Sequence, residues 1–181
     1  NYGVYASMWQ AEVIPSGGLG RVDVGNGILS RWELTDAERI QLSLRTDQDA
    51  LTQYFYLRRN IVKAKVNLPG LNTVLYAVNT HATAFATDDT KQKHINEYVS
   101  TLANIHSAGH HFITGGDLNS IPPGAAKYDF CASDACHDEV YHSGGAGTNP
   151  HIEGSYFNNF DGERNLLQPL YDNYHPAIGQ S

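Results

Sequence analysis

The chain has 181 residues, 41% of them hydrophobic, and a formal net charge of −7. That length fits one domain able to bury its own core, and no apolar run reaches the roughly 18 residues of a membrane-spanning helix. From Gly115 to the end, nine acidic residues face only Lys127 and Arg164. This disfavours extended nucleic acid, whose nonspecific binding rests on phosphate neutralisation by Lys and Arg. It suits either a solvated surface or a site that recruits a divalent cation. The chain starts at Asn1 without a methionine, which points to a removed leader or to an excised piece of something longer.

Residues 1–24 mix aromatics with the glycine-rich stretch Ser16-Gly17-Gly18-Leu19-Gly20, which reads as a surface loop. No GxGxxG follows a clear strand and no Lys-Ser/Thr pair follows the glycines, so no phosphate-binding fingerprint is present. Gly25-Asn26-Gly27-Ile28-Leu29-Ser30-Arg31 comes next. Ile28 and Leu29 read as a short buried strand, and Asn26 as a turn residue or a site residue. Residues 32–53 suit an edge strand followed by a loop. Ile61 to Val66 alternates as a strand, Leu68-Pro69-Gly70-Leu71-Asn72 is a turn, and Thr73 to Thr80 is the clearest strand of the chain. Strand, turn and strand make a hairpin, and its second strand delivers His81 at its end.

Residues 90–108 read as a helix. Ile95, Val99, Leu102 and Ile105 share one face, Asp88 or Asp89 caps the start, and Gly109 ends it. His94 and His106 are expected on its surface. A strand near His111–Thr114 then runs into Gly115-Gly116-Asp117-Leu118-Asn119. The order of strand, His loop, helix and strand is a βαβ unit, with its polar residues at the strand ends where α/β sheets bind ligands. In an extended segment residues i and i+2 share a face, so Asp117 and Asn119 are expected to point together into one pocket.

From Asp129 onward regular structure is hard to see. Tyr156-Phe157-Asn158-Asn159-Phe160 reads as packing under a loop or a stacking surface, and Leu166 to Leu170 as a short helical turn. Cys131 and Cys136 have four residues between them and suit a short disulfide loop, which favours an exported protein, periplasmic or secreted. A zinc site with His137 and His142, or two reduced cysteines, are the other readings.

Three motifs therefore stand in order: Gly25 to Arg31, Asn79-Thr80-His81, and Gly116-Asp117-Leu118-Asn119. Together, over about residues 25–125, they resemble the endonuclease/exonuclease/phosphatase superfamily, which includes DNase I-like nucleases, neutral sphingomyelinases and inositol polyphosphate 5-phosphatases. The resemblance implies a single DNase I-like four-layer α/β sandwich, here truncated at both ends. It also implies hydrolysis of a phosphoester with Mg²⁺ or Mn²⁺, in a nuclease, phosphatase or phospholipase-type reaction. By residue, it implies that His81 contacts the scissile phosphate, that Asp117 binds metal or positions the attacking water, and that Asn119 donates to a phosphate oxygen. Phosphodiester cleavage needs an in-line water and stabilised negative charge, which a hard cation, a histidine and an amide supply. Arg58, Arg59 and Asn26 are the expected substrate contacts.

The departures carry expectations too. Family members place a Gln-Glu, the principal metal ligand, after an early strand, and here Gln10-Ala11-Glu12 follows no evident strand. They close on Ser-Asp-His, which is missing. A Glu that pairs with a site histidine in DNase-like nucleases is replaced near Arg58-Arg59-Asn60 by Arg. The chain is thus expected to be weak or inactive alone, and to form a homodimer through exposed strand edges. A non-catalytic binding module on the same fold is the alternative.

Overall fold

The computed structural model describes residues 1–11, 22–84, 86–120, 122–124 and 165–177. Glu12, the Ser16–Gly20 stretch, Cys131, Cys136, His137, His142 and the 156–160 aromatics lie outside the described residues. The chain divides into two units, Asn1–Leu118 and Asn119–Ser181. The described part of the second contains one regular element, the short helix Gln168–Asn173, at the helical turn read from the sequence.

The first unit holds two sheets. Strand β1 (Tyr2–Ala11) pairs antiparallel with β2 (Val22–Ser30). A second sheet has the order β3 (Leu34–Gln41), β4 (Asn60–Val66), β5 (Leu75–His81), β6 (His111–Asp117). β3 is the expected edge strand, and β4 and β5 form the expected hairpin, antiparallel from Ile61↔Thr80 to Val66↔Leu75. β5 then crosses through α2 (Thr90–Ser107) to the parallel strand β6, which completes the βαβ unit. Among the described residues no helix is long and apolar enough to cross a membrane.

The first two strands depart from the sequence reading. A full strand runs through Tyr2–Ala11, where no strand was evident in the sequence, and it ends immediately before Glu12. In β2 the pattern is reversed from expectation. Leu29 is 90% exposed, and the buried residue is Asn26. The reason is polar. Asn26 Nδ2 donates to the Asn60 carbonyl at 2.8 Å and to Asn60 Oδ1 at 3.0 Å. Asn60 Nδ2 in turn donates to the carbonyls of Ala6 (3.3 Å) and Ser7 (3.0 Å).

A register shift between Ser7 and Trp9 interrupts the β1–β2 ladder, and the Ser7 carbonyl there also accepts Arg39 Nε at 3.0 Å. Thr80 Oγ1 donates to the Asn60 carbonyl at 3.1 Å, and Asn79 Nδ2 to the Gly27 carbonyl at 2.9 Å. Asn60 is thus a fully buried hub that joins the two sheets. Asn60→Ala is expected to cost about 2–3 kcal/mol by stranding those buried partners, read as a lower urea midpoint at unchanged m-value.

α2 packs on the sheet through Ile95, Tyr98, Leu102 and Ile105, with the Tyr98 hydroxyl bonded to Thr114 Oγ1. His94 is not a surface residue, as the sequence reading had it. It is 1% exposed. Thr83 N–H donates to its Nδ1 at 3.2 Å, so Nε2 carries the proton, which it donates to the Ser43 carbonyl at 2.7 Å. Burial holds His94 below its usual value, hence neutral, and both ring nitrogens are satisfied.

His94 belongs to a clamp between residues 43–47 and the approach to α2. Asp88 Oδ2 accepts from Thr46 N (2.7 Å) and Oγ1 (2.5 Å), and Asp47 Oδ2 accepts from Thr87 N (2.7 Å) and Oγ1 (2.8 Å). The Arg45 guanidinium, with help from Thr87, holds the Asp47 carboxyl well below the ordinary range. Burial pushes Asp88 up, but hydrogen bonds from Thr46 and Thr90 outweigh it and lower that carboxyl too. A carboxyl lowered in the folded state adds stability that is present above its unfolded value and lost as pH falls toward its folded one. Thermal unfolding is therefore expected to shift downward as pH drops below about 4, the unfolded carboxylate range. The slope should be shallower in Asp47→Asn and Asp88→Asn, and equal slopes would show that the clamp does not set acid stability.

Candidate active site

β5 and β6 run parallel, and their register pairs Asn79 with Gly115, Thr80 with Gly116 and His81 with Asp117. The two functional side chains thus leave neighbouring strands at the same level. His81 Nε2 lies 3.6 Å from Asp117 Oδ2, with the side chains 34% and 61% exposed. Below them, Ala82 N–H donates to the Asp117 carbonyl at 2.9 Å, which fixes the backbone of both strand ends. Gly116 permits this closeness. Its φ is 135°, and a Cβ there would sit 2.0 Å from the Thr80 carbonyl oxygen.

Burial lowers His81 below the usual histidine value, the Arg59 charge lowers it further, and Asp117 only partly opposes this. Neutral pH therefore finds a neutral imidazole beside a carboxylate. Such a group can donate or accept a hydrogen bond without bringing its own charge. Arg59 itself is 7% exposed, and its Nε and Nη1 have no hydrogen-bond partner. Among the described residues no carboxylate pairs with it. A buried, unpaired guanidinium is costly unless an anion completes it.

The structure brings His81 and Asp117 together, and the charge of Arg59 reaches His81. Arg58 is an exposed residue whose backbone N–H donates to the Met8 carbonyl at 3.0 Å. Asn26 takes another role from the one expected, because its amide donates into the sheet–sheet hub and its side chain is buried. The face-sharing argument for Asp117 and Asn119 also fails. β6 ends at Asp117, and Asn119 has a left-handed backbone with φ 47°, so the pair is not one extended segment.

Among the described residues no group of three or more His, Cys, Asp or Glu converges to hold a metal ion. The donors present fit a hard cation held by one carboxylate, with waters and substrate oxygens completing its shell, as Mg²⁺ often is, and not an all-protein cage. Tyr56, whose ring lies under Arg45 and Arg59, had no signal in the sequence beyond its place two residues before Arg58.

No curated protein matches the chain. Among solved structures, the human Nocturnin catalytic domain with bound sulfate is similar at 13% identity and a TM-score of 0.46, over 66% of this chain and 43% of that one. An endonuclease/exonuclease/phosphatase from Beutenbergia cavernae is 17% identical with a TM-score of 0.48, over 65% and 29%. TDP2 from Caenorhabditis elegans is 14% identical with a TM-score of 0.42, over 81% and 43%. The chain spans less than half the length of each. The sequence model of the Endonuclease/Exonuclease/phosphatase family matches residues 1–166, and the chain belongs to that family.

Proposed function

We propose that this chain carries part of a metal-dependent phosphoester hydrolase site, with His81 and Asp117 at its centre. The observation that supports it is their placement at register-matched ends of parallel strands, 3.6 Å apart, with the charge of the buried Arg59 acting on His81. Asp117 is the residue that would hold a Mg²⁺ or Mn²⁺ ion. That ion, when bound, would supply Lewis-acid stabilisation of phosphoryl charge. The neutral His81 donates a hydrogen bond to an oxygen of the scissile phosphate, where negative charge develops. Arg59 meets the phosphate's negative charge, with Arg58 at the more exposed edge. The family motif assigns Asn119 the part of amide donor to a phosphate oxygen.

The acidic second half of the sequence favours a small phosphoester or a lipid headgroup over long DNA. Hydrolysis of bis-p-nitrophenyl phosphate by the purified chain tests the reading. Slow turnover is expected with Mg²⁺ or Mn²⁺, in keeping with a chain that spans less than half the length of the similar structures, and it is expected to vanish with EDTA. Turnover that survives EDTA, or none above the buffer rate with either ion, would count against it.

A further inference from the structure

We infer that Tyr56, which the proposed site does not include, is a positioning residue that holds the Arg59 guanidinium ready for a phosphate-class oxyanion. The inference rests on the reading of Arg59 as an anion contact. Tyr56 caps α1 (Ala50–Phe55) at its C-terminal end and is half-buried. Arg45 Cζ lies 5.0 Å from its ring centroid and Arg59 Cζ 5.9 Å, both within cation–π range. One of these cations is fixed from outside. Arg45 Nε and Nη2 donate to the two Asp47 oxygens at 2.8 and 2.7 Å, and its carbonyl accepts Gln53 Nε2 at 2.6 Å. Thr87 in turn anchors Asp47. The clamp therefore immobilises Arg45, Arg45 immobilises the Tyr56 ring, and the ring gives Arg59 a surface to lie against.

Arg59 needs such a surface. It is buried without a carboxylate partner among the described residues, and two of its donors are unused. The electron-rich ring and the Tyr56 hydroxyl, which accepts from Arg59, offset part of its lost hydration and leave Nε and Nη1 unused. Arg59 lines a recess of about 10 Å³ together with Arg45, Gln48, Gln53, Tyr56 and Thr83, room for one water molecule or for a single oxygen of a phosphate-class anion. The phenol senses the same cations. Burial pushes Tyr56 up, and Thr83, Arg45 and Arg59 around it outweigh that and lower it.

Titration calorimetry of the chain with inorganic phosphate tests this. Arg59→Gln should abolish binding. Tyr56→Phe keeps the ring but loses the hydroxyl's bond to Arg59 and should bind more tightly than Tyr56→Leu, which should bind about 2- to 30-fold more weakly than the parent, the range of one cation–π contact. Arg45→Gln loosens the ring from its other side and should weaken binding in the same direction, which covers the case in which Tyr56→Leu does not fold. In turnover assays the effect of Tyr56→Leu should fall on KM and leave kcat nearly unchanged. Parental phosphate affinity in both Tyr56→Leu and Arg45→Gln, or in Arg59→Gln, would overturn the inference. Absence of turnover with this pattern of phosphate binding intact would instead sink the hydrolase reading and leave the role of Tyr56 standing.

Discussion

Replacing Gly116 with alanine is expected to cost roughly 3–5 kcal/mol, through a disallowed backbone conformation and overpacking together. The residue has φ 135°, a region L side chains rarely adopt. A Cβ would also meet backbone, with Thr80 O at 2.0 Å and Thr80 N at 2.9 Å. Backbone of a central strand cannot turn aside as a flexible side chain would. Thr80 is held twice over, by the β4 ladder and by its hydroxyl bond to the Asn60 carbonyl. The movement therefore has to come from β6, which carries Asp117. Gly115→Ala is the control, because a Cβ there meets nothing within 4 Å and the position is exposed. It should change stability by no more than about 0.5 kcal/mol. Urea unfolding of both variants decides the matter, and equal midpoints would show that the close approach of β5 and β6 is not what the glycine serves.

That glycine also shows what a single sequence discloses. The glycine pair before Asp117 marks a strand end that tolerates close approach, and the His81 strand, the helix and the Asp117 strand follow from patterning alone. Their apolar positions repeat at the strand and helix periods because each element buries one face against the others. The β1–β2 pair was not legible, because among the described side chains of β1 only Ala6 and Met8 are buried, while Tyr2 and Tyr5 are exposed. What ties these strands to the second sheet is the Asn26–Asn60 pair, and a polar contact between residues 34 positions apart leaves no periodic trace.

α1 escaped for a similar reason. It is six residues long and buries none, resting on the Asp49 cap and on its connections at either end. His94 is different, since its signal was present. It precedes Ile95 and lies one turn before Tyr98, on the face that Leu102 and Ile105 also share. It was read as an ordinary surface residue, but the helix geometry placed it inside. The site shows the same division. The placement of His81 and Asp117 at neighbouring strand ends was legible because strand ends are readable, whereas the burial of Arg59 and the ring of Tyr56 depend on how residues 43–59 fold back on the sheet.

The catalytic reading stands most directly on Asp117. Asp117→Ala is expected to lower metal-dependent phosphodiester turnover by about 10³-fold, near 4 kcal/mol of transition-state stabilisation. Stability should move little, because the strand pairing of the residue runs through its backbone. Its carbonyl accepts the Ala82 N–H, and its strand pairing with His81 needs no side chain. The carboxylate is 61% exposed, so removing it leaves little void. Asp117→Asn separates the two things a carboxylate offers. The amide keeps an oxygen at the same place and loses the charge. If the charge holds a cation, Asn should be nearly as damaging as Ala, and raising Mg²⁺ should recover part of the loss through mass action. If Asp117 only orients a water by hydrogen bonding, Asn should retain much of the rate at every metal concentration. A variant with alanine that folds normally and turns over at the parental rate would remove Asp117 from the site, and with it the strand-end pairing as the seat of the chemistry.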